Sequence, residues 1–258
     1  MAPPEDNAGE AAEEEGSSIP EVAPAPSPAK APACGGDGRR VSTVLIIIAM
    51  QTEALPLVNK FQLSEDTDGS LFPKGVPWVR YHGKYKELDI NLVWPGKDSV
   101  LGVDSVGTVS ASLVTYASVQ ALKPDLIINA GTAGGFKAKG ACVGDVYLAS
   151  DVAFHDRRIP IPVGKLSTGD SLDMSPQDEA AILANDATIK DMEGAAVSYV
   201  AGLLSVPAIF VKAVTDIVDG EKPTPEEFLQ NLIAVTAALD QAVSQVIDFL
   251  SGKCLSEL

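Results

Sequence analysis

The chain has 258 residues, 46% of them hydrophobic, which is enough apolar material for one α/β domain or two small ones. Its 35 acidic residues against 19 basic ones leave a net charge of −16, a surface that repels phosphate backbones and anionic membrane, so neither nucleic acid nor lipid is expected as a partner. Cys34, Cys142 and Cys254 are too few and too scattered for a disulfide framework or a zinc spacing, and reduced, intracellular thiols are expected.

Residues 1–40 are rich in Pro, Ala, Gly, Ser and acids and carry almost no large apolar side chains. Such a stretch cannot bury enough surface to offset its ordering entropy, so it reads as a disordered acidic tail. It also lacks the apolar centre of a signal peptide and the Arg-rich, acid-poor character of a transit peptide, so a cytoplasmic location is expected. From Val41 the texture changes. Val44 to Met50 is the longest unbroken apolar run, far short of the roughly 20 residues that span a bilayer, and reads as a buried strand feeding a helix over Gln51 to Lys60. Val79 to His82 and Leu88 to Trp94 form a strand pair, and Val106 to Leu122 a helix. Leu126 to Ile128 is a buried strand running into Gly131-Thr-Ala-Gly-Gly135. Gly144 to Phe154 and Leu166 to Leu172 read as strands, Gln177 to Asn185 and Ala195 to Leu204 as helices, and Pro207 to Val214 as another buried strand. Thr224-Pro-Glu-Glu227 has the form of a capping box opening a last long helix, with Phe228, Leu232, Val235, Leu239, Val243 and Val246 on one face.

Apolar strands alternating with helices predict one α/β domain over 41–258, a three-layer sandwich around a mixed, mostly parallel sheet. One place breaks the rhythm. Only His155 to Lys165, with Pro160 and Pro162, separates two strands, too little for a crossover helix, so either they pair in another way or chain is missing there.

Neither histidine, His82 or His155, lies near a nucleophile motif, and no cluster has metal-ligand spacing. The glycine cluster is neither G-x-G-x-x-G nor a Walker loop, and reads as a tight turn or a turn that lets a ligand approach the backbone. Glu53, Glu193 and Asp216 each sit at a strand-to-helix junction or strand end. Singly, each fits an N-cap or a first-turn partner of the helix dipole. Together at the carboxyl edge of a parallel sheet, they offer an acid, a base and a hydroxyl acceptor, the set that cleavage through an oxocarbenium-like transition state requires.

Ala49-Met-Gln-Thr-Glu53-Ala, Ile128-Asn-Ala-Gly-Thr-Ala-Gly-Gly135, Ser167-Thr-Gly-Asp170, Asp191-Met-Glu193-Gly-Ala-Ala and Ala213-Val-Thr-Asp216 together resemble the 5′-methylthioadenosine nucleosidases of the purine nucleoside phosphorylase-like fold. His155-Asp-Arg-Arg-Ile-Pro-Ile-Pro162 is similar to the plant enzymes. The resemblance runs from about Val41 to Leu258. It implies hydrolysis of 5′-methylthioadenosine, with S-adenosylhomocysteine as a second candidate substrate, to adenine and the thioribose in methionine salvage, without metal or organic cofactor. Asp216 would protonate the purine and Glu53 activate the water. Glu193 would accept from the ribose hydroxyls and Met192 would pack on the sugar. Leu172, Thr132, Ala133 and Gly134 would line the purine site, and Thr215 would support Asp216. A homodimer is implied as well. Plant relatives carry a further loop and helix where Val163-Gly-Lys165 here joins the flanking stretches directly, an apparent internal deletion. In the family that segment helps form the dimer and closes the partner's methylthio pocket. Two other classes compete with the hydrolase: a non-catalytic or storage-type nucleoside binder, and a phosphorylase, which Glu53 near the nucleophile would disfavour.

Overall fold

The structure, a computed structural model, describes residues 38–156 and 165–258. The tail through residue 37 and the junction at Val163 and Gly164 lie outside the described residues. The elements run β1 (Thr43–Ile47), α1 (Gln51–Phe61), β2 (Ser64–Glu65), β3 (Val79–Tyr85), β4 (Leu88–Trp94), α2 (Thr108–Leu122), β5 (Leu126–Gly135), β6 (Val146–Leu148) and β7 (Val152–Phe154). They continue with β8 (Leu166–Thr168), α3 (Pro176–Ala184), β9 (Ile189–Asp191), α4 (Gly194–Leu203), β10 (Ala208–Ile217) and α5 (Thr224–Leu250).

The strands form one mixed sheet in the order β2-β3-β4-β1-β5-β9-β8-β7, with β10 along β5 and β6 on β10. The centre is parallel, with β1 between β4 and β5 and β10 beside β5. The β2–β3, β3–β4, β5–β9 and β6–β10 pairs are antiparallel. Val44, Leu45, Ile46 and Ile47 are all buried because helices cover both faces of β1, which is why that strand reads as an unbroken β-branched run. Leu57, Val58 and Phe61 of α1 and Val235, Leu239, Val243, Ile247 and Leu250 of α5 form one core with Val44 and Ile46. Ala111 and Val114 of α2 and Ala196 and Val197 of α4 pack on Leu45 and Ile47 on the other face. The expected three-layer α/β sandwich is the observed fold.

By length and composition α5 could cross a membrane. Val235, Leu239, Val243, Ile247 and Leu250 recur every three or four positions and are buried in the core, while Glu226, Gln230, Gln241, Gln245 and Asp248 are exposed on its outer side, with Leu229, Ile233 and Phe249 among them.

Several local expectations are corrected. Gly131 to Gly135 is not a turn: β5 continues through it because β10 pairs alongside as far as Ile217↔Gly135 and β9 closes on Gly134 and Gly135. Thr224 is not the N-cap of a capping box. The helix is preceded by Pro223 without a side-chain cap, and Glu227 instead accepts from the Ile217 N–H at 2.8 Å. Gly38 to Arg40, assigned to the tail, are held: Arg40 bridges Cys254, the Leu255 N–H donates to the Arg39 carbonyl, and Arg39 pairs with Asp125. Cys142 is exposed and free, and Cys34 lies outside the described residues. The two strands at the break in rhythm are parallel neighbours, with Val152↔Leu166, Ala153↔Ser167 and Phe154↔Thr168 in register, so the alternative of a different pairing falls.

Candidate active site

At the carboxyl ends of β1, β5 and β10 lies a cleft of about 220 Å³. Glu53, Thr132, Ala133, Gly134, Leu172, Met192, Glu193, Thr215 and Asp216, the nine residues singled out in the sequence, all line it.

Glu53 stands in the first turn of α1 and is buried. One carboxylate oxygen, Oε2, accepts from the Met50 N–H at 3.1 Å, which is the local capping role. The other, Oε1, accepts from the Thr132 N–H at 2.7 Å and its hydroxyl at 2.8 Å, across to β5. Burial raises the Glu53 pKa, while these hydrogen bonds and the charge of Lys212 oppose the rise.

Glu193 occupies the N-cap position of α4 but makes no side-chain cap. That task falls to Asp191, whose Oδ2 accepts from the Gly194 N–H at 2.8 Å. Glu193 turns instead toward the start of α2, where its Oε1 accepts from the Gly107 N–H at 3.0 Å. Desolvation pushes its carboxyl up to about 7, with Lys212 pulling the other way.

Asp216 lies inside β10, not beyond it as the apolar run ending at Val214 suggested. The register slips between Val214↔Ala133 and Asp216↔Gly134, so Thr215 is the extra residue of a bulge that re-aims its neighbour. The bulged carbonyl is satisfied by Asn231 Nδ2 of α5 at 2.9 Å. Thr215 Oγ1 donates to Asp216 Oδ1 at 2.7 Å. The same hydroxyl lies 3.3 Å from the Ala133 carbonyl, and the other carboxyl oxygen, Oδ2, faces Gly134. Gly134 makes room for that oxygen, since a Cβ there would lie 2.8 Å from Oδ2 and 2.6 Å from Val218 Cγ1. Burial raises the Asp216 pKa, against the Thr215 hydrogen bond and the charge of Lys190.

Lys212, Asp191 and Lys190 were not singled out in the sequence. Lys212 Nζ pairs with Asp191 Oδ2 at 2.8 Å, both side chains fully buried. Burial alone would lower the Lys212 pKa, but Asp191, Glu193 and Glu53 together raise it, so it stays the cation among three acids. The signal was available: a lysine in the middle of Ile209-Phe-Val-Lys212-Ala-Val, an otherwise apolar buried strand, demands a charged partner. Elsewhere, His155 Nδ1 lies 3.2 Å from Ser167 Oγ, but Ser167 is fully buried and His155 packs on Gly169, so this contact is structural. Among the described residues no group of three or more His, Cys, Asp or Glu is arranged to hold a metal ion.

The cleft thus offers three buried carboxyls, each pushed toward its protonated form and Glu53 the most heavily hydrogen-bonded, walled by Met50, Met192, Leu172 and Phe228. That combination can donate a proton to a leaving group and deprotonate water across a single bond.

The phosphorylase superfamily model matches residues 43–165 and again 156–248. A 5′-methylthioadenosine nucleosidase of Arabidopsis thaliana is 62% identical, the alignment taking in 85% of this chain and 91% of that protein. A 5′-methylthioadenosine/S-adenosylhomocysteine nucleosidase of the same plant is 60% identical, over 85% of this chain and 96% of its own. The apo structure of Arabidopsis thaliana 5′-methylthioadenosine nucleosidase superposes with a TM-score of 0.82, covering 85% of this chain and all of that one. The first alignment extends over 245 positions yet draws on 85% of the 258 residues here, so the relative carries positions with no counterpart in this chain.

Proposed function

The chain belongs to the phosphorylase superfamily and, within it, to the 5′-methylthioadenosine nucleosidases, and from that membership we propose how its residues divide the chemistry. It hydrolyses the N-glycosidic bond of 5′-methylthioadenosine, releasing adenine and 5-methylthioribose. Asp216 is the general acid: its Oδ2 delivers a proton to the purine as the bond to the anomeric carbon lengthens. Thr215, hydrogen-bonded to Oδ1, holds the carboxyl in place. Glu53 is the general base, orienting and deprotonating the water that attacks the oxocarbenium-like centre. Three hydrogen bonds leave it little rotational freedom. Glu193 accepts from the ribose hydroxyls, with Met192 against the sugar, while Leu172, Thr132, Ala133 and Gly134 enclose the base.

The observation that carries this assignment is the contrast between the two flanking carboxyls in one cleft. Burial raises the pKa of both and each has a lysine acting on it, but Asp216 accepts only from Thr215 whereas Glu53 accepts from three donors, which favour its ionised form. Glu53 beside the nucleophile also repels phosphate, which favours water. Release of adenine from 5′-methylthioadenosine, followed spectroscopically in wild type and Asp216→Asn, tests the reading. The expected result is hydrolysis in wild type and a loss of about 10²-fold or more in the variant. Equal turnover by the two proteins would remove Asp216 from its role.

We also propose that the protein works as a homodimer. Val109, Leu113 and Tyr116 of α2 and Tyr199 and Leu203 of α4 are exposed on one side of the domain, with Val100, Leu101 and Val103 exposed just ahead of α2. A patch of that kind supports association of two copies. A dimer mass by light scattering is expected, and a monomer throughout the micromolar range would overturn it.

A further inference from the structure

We propose that Lys190 is a positioning residue of the purine subsite: its ammonium ties down the backbone of Ser171 and Leu172, one wall of the cleft, and supplies the positive charge beside Asp216. The inference rests on the nucleosidase reading above and extends it to a residue outside the three carboxylates.

Lys190 belongs to β9, between β5 and β8, and is 4% exposed. A lysine so buried needs a reason, because desolvating an ammonium is costly unless acceptors replace water. Among the described residues it has no carboxylate within ion-pair distance, unlike Lys212. Nζ donates instead to two backbone carbonyls, Ser171 at 2.7 Å and Leu172 at 3.1 Å. These belong to the loop after β8, which has no strand partner of its own. Leu172 lines the cleft but is itself 38% exposed, so packing holds it weakly. Two charge-assisted bonds from a rigid strand are what fix its backbone.

The second half concerns charge. Lys190 lines the same cleft as Asp216 and acts on it electrostatically. The groups facing Asp216 are Thr215 from its own strand, Glu227 from α5, which raises its pKa, and Lys190 from β9, which lowers it. Lys190 in turn faces Asp191, Asp173, Asp178 and Asp216, whose charges counter its desolvation. Burial alone drives the Asp216 pKa upward; Lys190 limits the rise. The balance matters because a general acid must hold its proton at working pH and yet surrender it readily.

The test uses the full chain with Lys190→Met, which removes tether and charge at similar length, and Lys190→Arg, which keeps the charge. Initial rates with 5′-methylthioadenosine from pH 5 to 10 give kcat and KM, and adenine affinity is measured by titration calorimetry. Lys190→Met is expected to raise KM and weaken adenine binding by about tenfold, the scale of one lost charge-assisted bond. It should also move the alkaline limb of kcat to higher pH, because Asp216, freed of the positive charge, keeps its proton longer. Lys190→Arg should leave that limb in place. Should Lys190→Met not fold, Lys190→Gln, which keeps donors without charge, carries the pH comparison. An alkaline limb unmoved in the neutral variants, together with unchanged adenine affinity, would overturn the inference. Absence of hydrolysis by wild type would instead bring down the nucleosidase reading and this inference with it, an outcome distinct from a wild-type rate with unaltered variants.

Discussion

Replacing Glu193 with Gln should make the unliganded protein more stable while disabling it. The carboxyl is buried, and its pKa rises from 4.5 to about 7 in the folded protein, with desolvation the largest cause. A folded-state pKa above the unfolded value means that the native state binds the proton more tightly. Relative stability is therefore full below pH 4.5 and is lost as pH rises through about 7. At about 1.4 kcal/mol for each pH unit of that interval, the cost of an ionised Glu193 reaches about 3 kcal/mol above pH 8. Glutamine has nearly the shape of the protonated acid and avoids the cost. For a domain of this size, a gain of about 3 kcal/mol corresponds to a melting temperature higher by about 6–12 °C. Thermal melts of wild type and Glu193→Gln at one fixed protein concentration, from pH 4.5 to 8.5, read it directly. The difference should be largest at pH 8.5, fall to about 1 kcal/mol near pH 5.5 and vanish near pH 4.5. The same variant should lose about 10²-fold in kcat/KM, since a hydrogen bond to a charged group contributes about 1.5–3 kcal/mol and the ribose has two hydroxyls to place. A variant that melts no higher than wild type at pH 8.5, or a gain that does not depend on pH, would refute the argument that Glu193 is held ionised against its environment for the sake of the substrate.

Wild-type kcat/KM should fall with decreasing pH through about 7 as Glu193 takes up its proton, and the pH-rate profile of Glu193→Gln should lack that limb. Gly134→Ala places a methyl 2.8 Å from Asp216 Oδ2 and 2.6 Å from Val218 Cγ1, so kcat should drop by about 10²-fold while circular dichroism remains native. Lys212→Met leaves Asp191 buried without its cation, and urea unfolding should show a loss of about 3–5 kcal/mol, more than any single polar change on the outer face of α5.

What could be read from the sequence was whatever depends on local pattern. The β-branched run of β1, the four-residue spacing of Val235, Leu239 and Val243, and the placement of Glu53 and Glu193 at strand-to-helix junctions follow from period and position alone. What could not be read depends on partners distant in the chain. Gly131 to Gly135 looks like a turn because glycine breaks local patterns, and it is a strand because β9 and β10 reach it from more than fifty residues away. The bulge at Thr215 is invisible in Ala213-Val-Thr-Asp216, since it exists only against Ala133 and Gly134. Glu227 sits where a capping box would place it, yet the Ile217 N–H competes successfully for its carboxylate. Lys212 was legible as an anomaly in an apolar strand, but which acid it would meet was set by the sheet order; Lys190 lies in Ile189-Lys-Asp191, too short and too polar to read as a strand.

The break in rhythm between β7 and β8 acquires a meaning from the same logic. The superfamily match falls into two pieces that overlap at 156–165, and the Arabidopsis relative aligns over more positions than the residues this chain contributes. The two strands nevertheless pair in parallel register, and β8 carries on to β9. None of the nine site residues falls in that stretch. Glu53 is fixed by α1 and β5, Glu193 by the start of α4 and Gly107, and Asp216 by the bulge of β10 and Asn231. Those supports lie on the central strands and the helices packed on them, where geometry is most tightly held. Cleavage of the glycosidic bond and choice among 5′-substituents are thus separable in this architecture. On the roles proposed above, the first depends on carboxylates anchored in the core; the second depends on whatever stands at the open side of the cleft, where Val106 and Phe228 are partly exposed.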